Sequence, residues 1–159
     1  MGKSLTAVQK KDIERGFTLL EVIVAISILT VGLLAVASMQ ASAIRGNTFA
    51  GGVTEATNWA SDQMEKLVEL PYNDGQLQDK DGDGAAGLND TEFDDDPGTQ
   101  PDADYGEIRQ APQGRQYKVY WNVAENDLKS GTKTINVIVT WQDHGIQKVV
   151  SMQNVRSNT

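Results

Sequence analysis

The chain has 159 residues, enough for one small domain and an anchor, and its formal net charge is −8. A chain this acidic is poorly suited to binding nucleic acid, because its carboxylates are repelled by phosphates. The sequence contains no cysteine, which excludes disulfides and thiol chemistry, so an exported domain would need a packed core or a metal ion to hold its loops.

The N-terminal region combines a basic flank with an apolar run. Residues 1–16 carry Lys3, Lys10, Lys11 and Arg15, which predicts that this end stays in the cytoplasm. The run from Phe17 to Ala37 is long enough to span a bilayer. An ordinary secretory signal is cut after its apolar region, whereas here the small residue Gly16 comes before it. If the chain is cut at Gly16, the apolar segment stays on the mature protein.

One carboxylate, Glu21, interrupts this apolar run, and the run holds no basic residue that could neutralise it. An ionised carboxylate in hydrocarbon costs about 2.5–3.5 kcal/mol on insertion scales. One interpretation is a carboxylate near a helix start, stabilised by the macrodipole and the headgroup region. The other is a functional group whose partner comes from another chain, and we treat Glu21 as a functional candidate.

Residues 17–70 are predicted to be mostly helical, with a first half that is apolar nearly all round. The second half carries an apolar stripe at helical spacing. The stripe comprises Ala56, Trp59, Ala60, Met64, Leu67 and Val68. Three glycines within residues 46–52 leave a break or bend there open, since each costs about 1 kcal/mol relative to alanine. Pro71 ends the helix, because the residue before a proline is pushed out of the α region.

Residues 71–115 are predicted to be a long loop rich in Asp and Gly, with too few apolar residues for a core of their own. Three strands with alternating apolar and polar residues follow, at residues 117–123, 135–141 and 146–155. Asp143-His144-Gly145 supplies a turn, and Val149-Val150 predicts a bulge. The predicted fold class is α+β: a long N-terminal hydrophobic helix packed on a three- or four-stranded antiparallel meander, with a long acidic loop between them.

The strongest motif in this loop runs from Asp79 to Asp90 and matches a twelve-residue calcium loop at positions 1, 3, 5, 6 and 12. The predicted Ca²⁺ ligands are Asp79, Asp81, Asp83, the carbonyl of Ala85, and Asp90. Two departures weaken the match: Asp90 replaces the longer glutamate that binds through both oxygens, and Ala86 replaces a larger aliphatic residue. The alternative is a solvated acidic loop.

Other polar residues of the sequence support no catalytic site. Six further acids of the loop are interpreted as solvated, with a second ion as the alternative: Glu92, Asp94, Asp95, Asp96, Asp102 and Asp104. His144 is interpreted as a turn residue, and the three tryptophans as core or sheet-face residues. The sequence shows no nucleophile–base pair, phosphate loop or zinc spacing, so we expect a protein that is not an enzyme.

The residues Gly16-Phe17-Thr18-Leu19-Leu20-Glu21 resemble the processing site of type IV prepilins. The resemblance implies cleavage after Gly16, methylation of the new amino group on Phe17, and pairing of Glu21 with the amino group of a neighbouring subunit. The order of leader, long helix, loop and antiparallel strands also resembles the type IV pilin fold. The segment from Trp59 to Tyr72 is similar to PilV-type minor pilins, called type IV pilus modification proteins, and so is the strand pattern with paired tryptophans at Trp121 and Trp141.

This resemblance implies a leader (residues 1–16), a membrane and filament-core helix (17–45) and a head (46–159) with an acidic loop (71–115) and a β-meander (116–156). It implies a minor pilin that supports pilus biogenesis, adhesion or motility. The twelve-residue motif, and not this resemblance, predicts a structural Ca²⁺ ion in the loop. The expected partners are prepilin peptidase, other minor and major pilins, the inner-membrane assembly platform, the lipid bilayer and a pilus-associated adhesin, but not nucleic acid.

The implied location is the inner membrane, with one span and a cytoplasmic N-terminus, before assembly. After assembly the chain would reach the periplasm and the extracellular pilus. Two alternatives remain open: a minor pseudopilin of a type II secretion system, and a membrane-anchored calcium-binding module that never enters a filament.

Overall fold

The computed structural model describes residues 16–92 and 102–158. Helix α1 spans Leu19–Glu69, and 3-10 turns follow at Gly75–Leu77 and Gly84–Asn89. Four strands then form one antiparallel sheet in the order β1-β2-β3-β4. They are β1 (Tyr105–Gln110), β2 (Gln116–Glu125), β3 (Thr132–Asp143) and β4 (Ile146–Ser157). This α+β arrangement confirms the predicted fold class and is consistent with the type IV pilin fold.

The chain divides into two compact units, Met1–Ile44 and Arg45–Thr159, and α1 contributes to both. In the first unit, the described part of α1 exposes its large apolar side chains. An 18-residue window of the helix has a mean hydropathy of 2.6 and is not buried by the rest of the protein, so its length and composition suffice to cross a membrane. The glycines between residues 46 and 52 do not interrupt the helix.

In the second unit, which we call the head, α1 covers one face of the sheet with a buried stripe. Its buried residues are Gly52, Ala56, Ala60, Gln63, Met64 and Leu67. Trp59 is partly buried against the same core, as predicted. Val68 was wrongly placed in the stripe, because it is 40% exposed. Gln63 takes a buried position instead, and its side-chain oxygen accepts a hydrogen bond from Arg109 at 2.8 Å.

The central strands β2 and β3 are buried on both faces, which strand alternation did not predict. The face opposite α1 lies beneath the loop that precedes β1, where Ala103 packs with Tyr120 and Ile138. Leu88 of the second 3-10 turn is buried as well, whereas Leu77 of the first turn belongs to the core that contains α1. The head therefore has three layers: helix, sheet and acidic loop.

Strand β1 corrects the prediction of a loop over residues 71–115. Its sequence is largely polar, and its side chains alternate between half-buried and exposed positions. An ion pair holds it to α1, since Arg109 Nη1 lies 2.6 Å from an Asp62 carboxylate oxygen. The guanidinium of Arg109 also lies 4.9 Å from the ring centroid of Trp59. Apolar alternation could not find a strand that is attached mainly by polar contacts.

The predicted bulge at Val149-Val150 is absent, because β4 pairs with β3 in unbroken register from Ile146 to Ser157. Val150 packs against the core, whereas Val149 lies on the other face and is 62% exposed. The turn at His144 and Gly145 is confirmed. Both residues have positive φ angles, 51° and 77°, as a two-residue hairpin turn of type I′ requires.

The head provides a matched pair of glycines that tests the helix–sheet contact. A Cβ atom at residue 52 would lie 2.7 Å from Arg115 Nη1 and 2.9 Å from Trp141 Nε1, whereas one at Gly51 would meet nothing within 4 Å. Overpacking against the buried Trp141 ring costs about 1–3 kcal/mol. A helical alanine in place of glycine contributes up to about 1 kcal/mol.

We therefore expect Gly52→Ala to lower the free energy of unfolding and Gly51→Ala to raise it. The measurement is urea unfolding of a chain that begins at Arg45. Equal effects of the two alanines would contradict the close contact between Gly52 and Trp141.

Candidate functional site

The described N-terminal segment begins α1 with a side-chain cap. The Thr18 hydroxyl oxygen accepts a hydrogen bond from the Glu21 backbone N–H at 3.2 Å, and the Thr18 carbonyl accepts one from Val22 at the same distance. The side-chain contact satisfies one of the N–H groups that every helix start leaves unpaired, and the carbonyl contact is the first regular hydrogen bond of the helix. Phe17 stands just before the cap and is 82% exposed. The Gly16-Phe17 junction therefore lies next to a fixed helix start, outside any packed core.

Phe17 and Glu21 lie on one side of the first helical turns. They line a groove of about 390 Å³ whose other walls are apolar: Val22, Ala25, Ile26 and Leu29. The predicted leader lies outside the described residues, apart from Gly16. The groove brings a carboxylate and the position of the predicted new amino terminus onto the apolar surface that α1 offers to lipid or to another helix.

In the head, side chains of the sheet hold the first 3-10 turn by three consecutive carbonyls. The hydroxyl of Tyr105 donates to Gly75 O, and the Trp121 indole N–H donates to Gln76 O at 3.2 Å. The ammonium of Lys133 donates to Leu77 O, and Lys133 itself is buried. The acidic loop is therefore attached to the end of the sheet by directional hydrogen bonds.

Two asparagines attach the second 3-10 turn to the middle of the sheet. Asn122 on β2 and Asn136 on β3 lie opposite each other, and both are buried. The Asn122 amide donates to Asp90 O at 2.9 Å, and the Asn136 amide donates to Leu88 O at 2.6 Å. Asparagine is depleted in strands, so two of them at paired positions were the available signal that the sequence analysis missed.

The carboxylate of Asp104 joins the acidic loop to β2. It accepts hydrogen bonds from Lys80 N at 2.6 Å and from Val123 N at 2.7 Å. Its own N–H donates to the Asn122 side chain at 2.9 Å. Asp104 is only 5% exposed, so interpreting it as a solvated acid was wrong. It stands directly before β1, where its side chain turns into the sheet end.

Three carboxylates of the loop converge. Oxygens of Asp79, Asp81 and Asp104 all lie within 4.8 Å of one another. Ca²⁺ binds oxygen at 2.3–2.6 Å, so oxygens on opposite sides of one ion are about 5 Å apart. The three oxygens therefore fit around one ion of this kind. Asp104, which comes from outside the twelve-residue motif, takes part in this cluster.

The other predicted ligands lie in the same loop, but they are not part of the group whose oxygens lie within 4.8 Å of one another. Asp83 donates its backbone N–H to Asp81 at 3.2 Å, and its carboxylate lies where a Cβ atom of Gly87 would be. Asp90 follows the second 3-10 turn and donates its N–H to Gly87 O at 3.0 Å. Ala85 is an exposed residue of that turn. Asp94, Asp95 and Asp96 lie outside the described residues.

Burial and mutual repulsion raise the pKa values of these acids. Desolvation, followed by the neighbouring charges of Asp81, Asp90 and Asp79, raises the pKa of Asp83 to about 7. Desolvation is also the main cause that raises the pKa values of Asp79, Asp90 and Asp104. The cluster thus has more negative charge than its surroundings neutralise, and a proton or a cation would stabilise it.

Comparison with known proteins finds one family. Residues 12–37 match the family described as "Prokaryotic N-terminal methylation motif". This segment is therefore of the type IV prepilin kind, a motif of pilin- and pseudopilin-type substrates of prepilin peptidase, and it implies assembly with other pilins. No curated protein and no solved structure matches the chain.

Proposed function

We propose that the chain is a minor pilin of a type IV pilus, similar to the PilV-type pilins that support pilus biogenesis, adhesion or motility. The observation that carries the proposal is the methylation motif at residues 12–37, which leads directly into an unburied apolar helix. The α+β head supports the proposal, because its architecture is consistent with the type IV pilin fold. The protein needs no catalytic group of its own for this role.

Assembly follows from the groove beside Glu21. Prepilin peptidase cuts between Gly16 and Phe17, and methylation leaves a cationic amine on Phe17. The amine of one subunit pairs with Glu21 of its neighbour, while the apolar walls of the groove pack against the neighbouring helix. The ion pair offsets the cost of a carboxylate in an apolar surrounding, which is about 2.5–3.5 kcal/mol. The chain waits in the inner membrane before assembly and is exposed on the pilus afterwards.

A structural Ca²⁺ ion in the acidic loop belongs to the same proposal. Asp79, Asp81 and Asp104 would hold it, and Asp83 and Asp90 would add charge from the adjoining turn. The ion would neutralise their repulsion and keep the loop closed on the sheet. Because the sequence has no cysteine, this ion would be the clamp that a disulfide supplies in other exported domains.

Processing is the direct test of the proposed function. We expect a mature chain that starts at Phe17 with a methylated amine, measured by intact-mass analysis of protein extracted from membranes and from sheared pili. Gly16→Ala should still be cut, because a Cβ atom at residue 16 meets nothing within 4 Å and adds no clash within the chain. Gly16→Trp should not be cut, because a bulky side chain at this position should block the peptidase. A chain that begins at Met1, or one absent from sheared pili, would contradict the proposal.

The role of Glu21 is tested by Glu21→Val. Membrane insertion should be unchanged or improved, because a charge leaves the apolar run. Incorporation into pili should fall about tenfold or more, because the Phe17 amine of the neighbouring subunit loses its partner and an unpaired buried charge costs about 3–5 kcal/mol. Quantitative immunoblots of membranes and sheared pili measure both, with the exposed head variant Glu65→Gln as control. Normal incorporation of the valine variant would rule out the pairing.

Calcium and pH should change the stability of the head in opposite ways. In chelator, raising the pH from 5 to 8 should lower the melting temperature of a chain that lacks residues 1–44. The folded state binds more protons than the unfolded state between the ordinary Asp pKa and the Asp83 value of about 7, so ionisation disfavours folding there. A hundredfold excess of calcium over its Kd should add about 2.7 kcal/mol at pH 8, where the ligands are ionised.

Calorimetry of the variant Asp81→Asn with Asp83→Asn should show little of the calcium shift. The matched control is Glu65→Gln with Glu69→Gln, which removes two exposed carboxylates from α1 and should keep the full shift. If the wild-type head melts at one temperature in calcium and in chelator, the loop is an acidic surface without a bound ion.

A further inference from the structure

A row of glutamines crosses the sheet on the face opposite α1. The β1–β2 register sets Gln110 opposite Gln116, and the β3–β4 register sets Gln142 opposite Gln147. The β2–β3 register, continued by one residue, sets Gln116 beside Gln142. All four side chains are exposed, and none of them makes a hydrogen bond within residues 16–92 and 102–158. We call these four residues the glutamine row.

The glutamine row borders a cleft beside the acidic loop. The loop covers this face of the sheet at Tyr120, whereas Lys118, which is nearer to the row, is exposed. Thr91 and Glu92 of the loop line the cleft together with Tyr120, Thr140 and three glutamines of the row. The volume of the cleft is about 460 Å³, within the range of about 300–1,000 Å³ that is usual for small-molecule sites. The cleft therefore has the size of a ligand site.

The lining of the cleft is polar but nearly neutral. Among the described residues that line it, three carry amides and three carry hydroxyls. The charged side chains among them are Glu92 and Lys118, which have opposite signs. A phosphate or another anion would be repelled by the acidic loop beside the cleft, and a metal ion would find a single carboxylate. The cleft therefore suits a ligand that carries many polar groups and no net charge.

Glutamine amides match the hydroxyl groups of such a ligand. Each amide offers two donor hydrogens and one acceptor oxygen, and a hydroxyl group also donates and accepts. Neighbouring strands lie about 4.8 Å apart, so the row presents such amides over a length of about 14 Å. A short chain of sugar rings presents hydroxyl groups along its length in the same way. Ile108 and Val149 on the two edge strands are 61% and 62% exposed, and they offer apolar contacts to the C–H faces of the rings.

We propose that the cleft and the glutamine row bind a neutral oligosaccharide. A peptide fits less well, because an extended peptide is held by backbone hydrogen bonds at a sheet edge and by pockets for its side chains. This cleft lies on a sheet face and is lined by amides and hydroxyls. The inference goes beyond the proposed function, since binding needs neither cleavage at Gly16 nor the pairing of Glu21, and its failure would leave that function standing.

Binding is measured with the full chain in a detergent that has no sugar groups. The probe is an array of immobilised neutral oligosaccharides, with uronic-acid oligosaccharides and extended peptides on the same surface. We expect binding to neutral oligosaccharides, and the same compound free in solution should compete. Gln116→Ala with Gln142→Ala should raise the Kd roughly tenfold or more, because two hydrogen bonds to the ligand are lost. The matched control is Gln78→Ala with Gln153→Ala, which removes two exposed glutamines outside the row and should keep the wild-type Kd.

Two further measurements separate binding from folding and from assembly. Both double variants should melt at the wild-type temperature, because the substituted side chains are exposed. A chain that carries Glu21→Val should bind with the wild-type Kd. The proposal is overturned if no neutral oligosaccharide binds, or if the variant of the glutamine row binds as tightly as its control. Binding to the peptides alone, or to the uronic-acid compounds alone, would overturn the neutral oligosaccharide as the ligand.

Discussion

The buried hydrogen bonds that hold the acidic loop on the sheet are the constraint on which the rest of the head depends. Asp104 joins the loop to β2, and the facing asparagines Asn122 and Asn136 hold the carbonyls of the second 3-10 turn. A buried polar group that loses its partner costs about 1–3 kcal/mol. The loop is therefore most stable on the sheet when all of these hydrogen bonds are formed together. With the loop in place, Tyr120 and Ile138 are removed from water and the sheet is covered on both faces.

The same attachment concentrates negative charge at one end of the sheet. The hydrogen bonds bring together carboxylates that repel one another. They are Asp79, Asp81 and Asp104. The loop is therefore stabilised by geometry and destabilised by charge, and the balance depends on protons and cations in the surroundings. The carboxylate of Glu21, by contrast, lies on an apolar surface of α1, and in the proposed assembly the amine of another subunit neutralises it.

Apolar periodicity predicted the helix and three of the strands, and the turn residues Asp143-His144-Gly145 predicted the turn at His144. Periodicity did not predict β1, whose attachment through Arg109 to Asp62 leaves no apolar pattern. Nor did alternation predict that the outer faces of β2 and β3 are covered, because a polar face normally indicates exposure. Asn122 and Asn136 show why this rule failed, since their polarity serves a covering loop.

For the candidate sites, the sequence predicted what depends on neighbours in the chain and missed what depends on neighbours in space. Glu21 and the Gly16-Phe17 junction are local features, which the resemblance to prepilin processing sites identifies. Asp79 and Asp81 were also found from their spacing in one motif. Asp104 joins them from 23 positions beyond Asp81, through the pairing of β1 with β2, and no local pattern contains that distance.

The contacts of Trp121 give the head an intrinsic optical probe. Its indole stacks on Tyr105 with ring centroids 5.3 Å apart and an interplanar angle of 12°, and its N–H donates to Gln76 O in the loop. The emission of an indole depends on the polarity around it, and this one is 7% exposed beneath a segment that has no covalent clamp. Release of the loop would wet this ring, while Trp141 stays packed against Gly52 of α1. A red shift in the tryptophan emission of the unlabelled protein would therefore report that the loop has opened before the helix–sheet core unfolds.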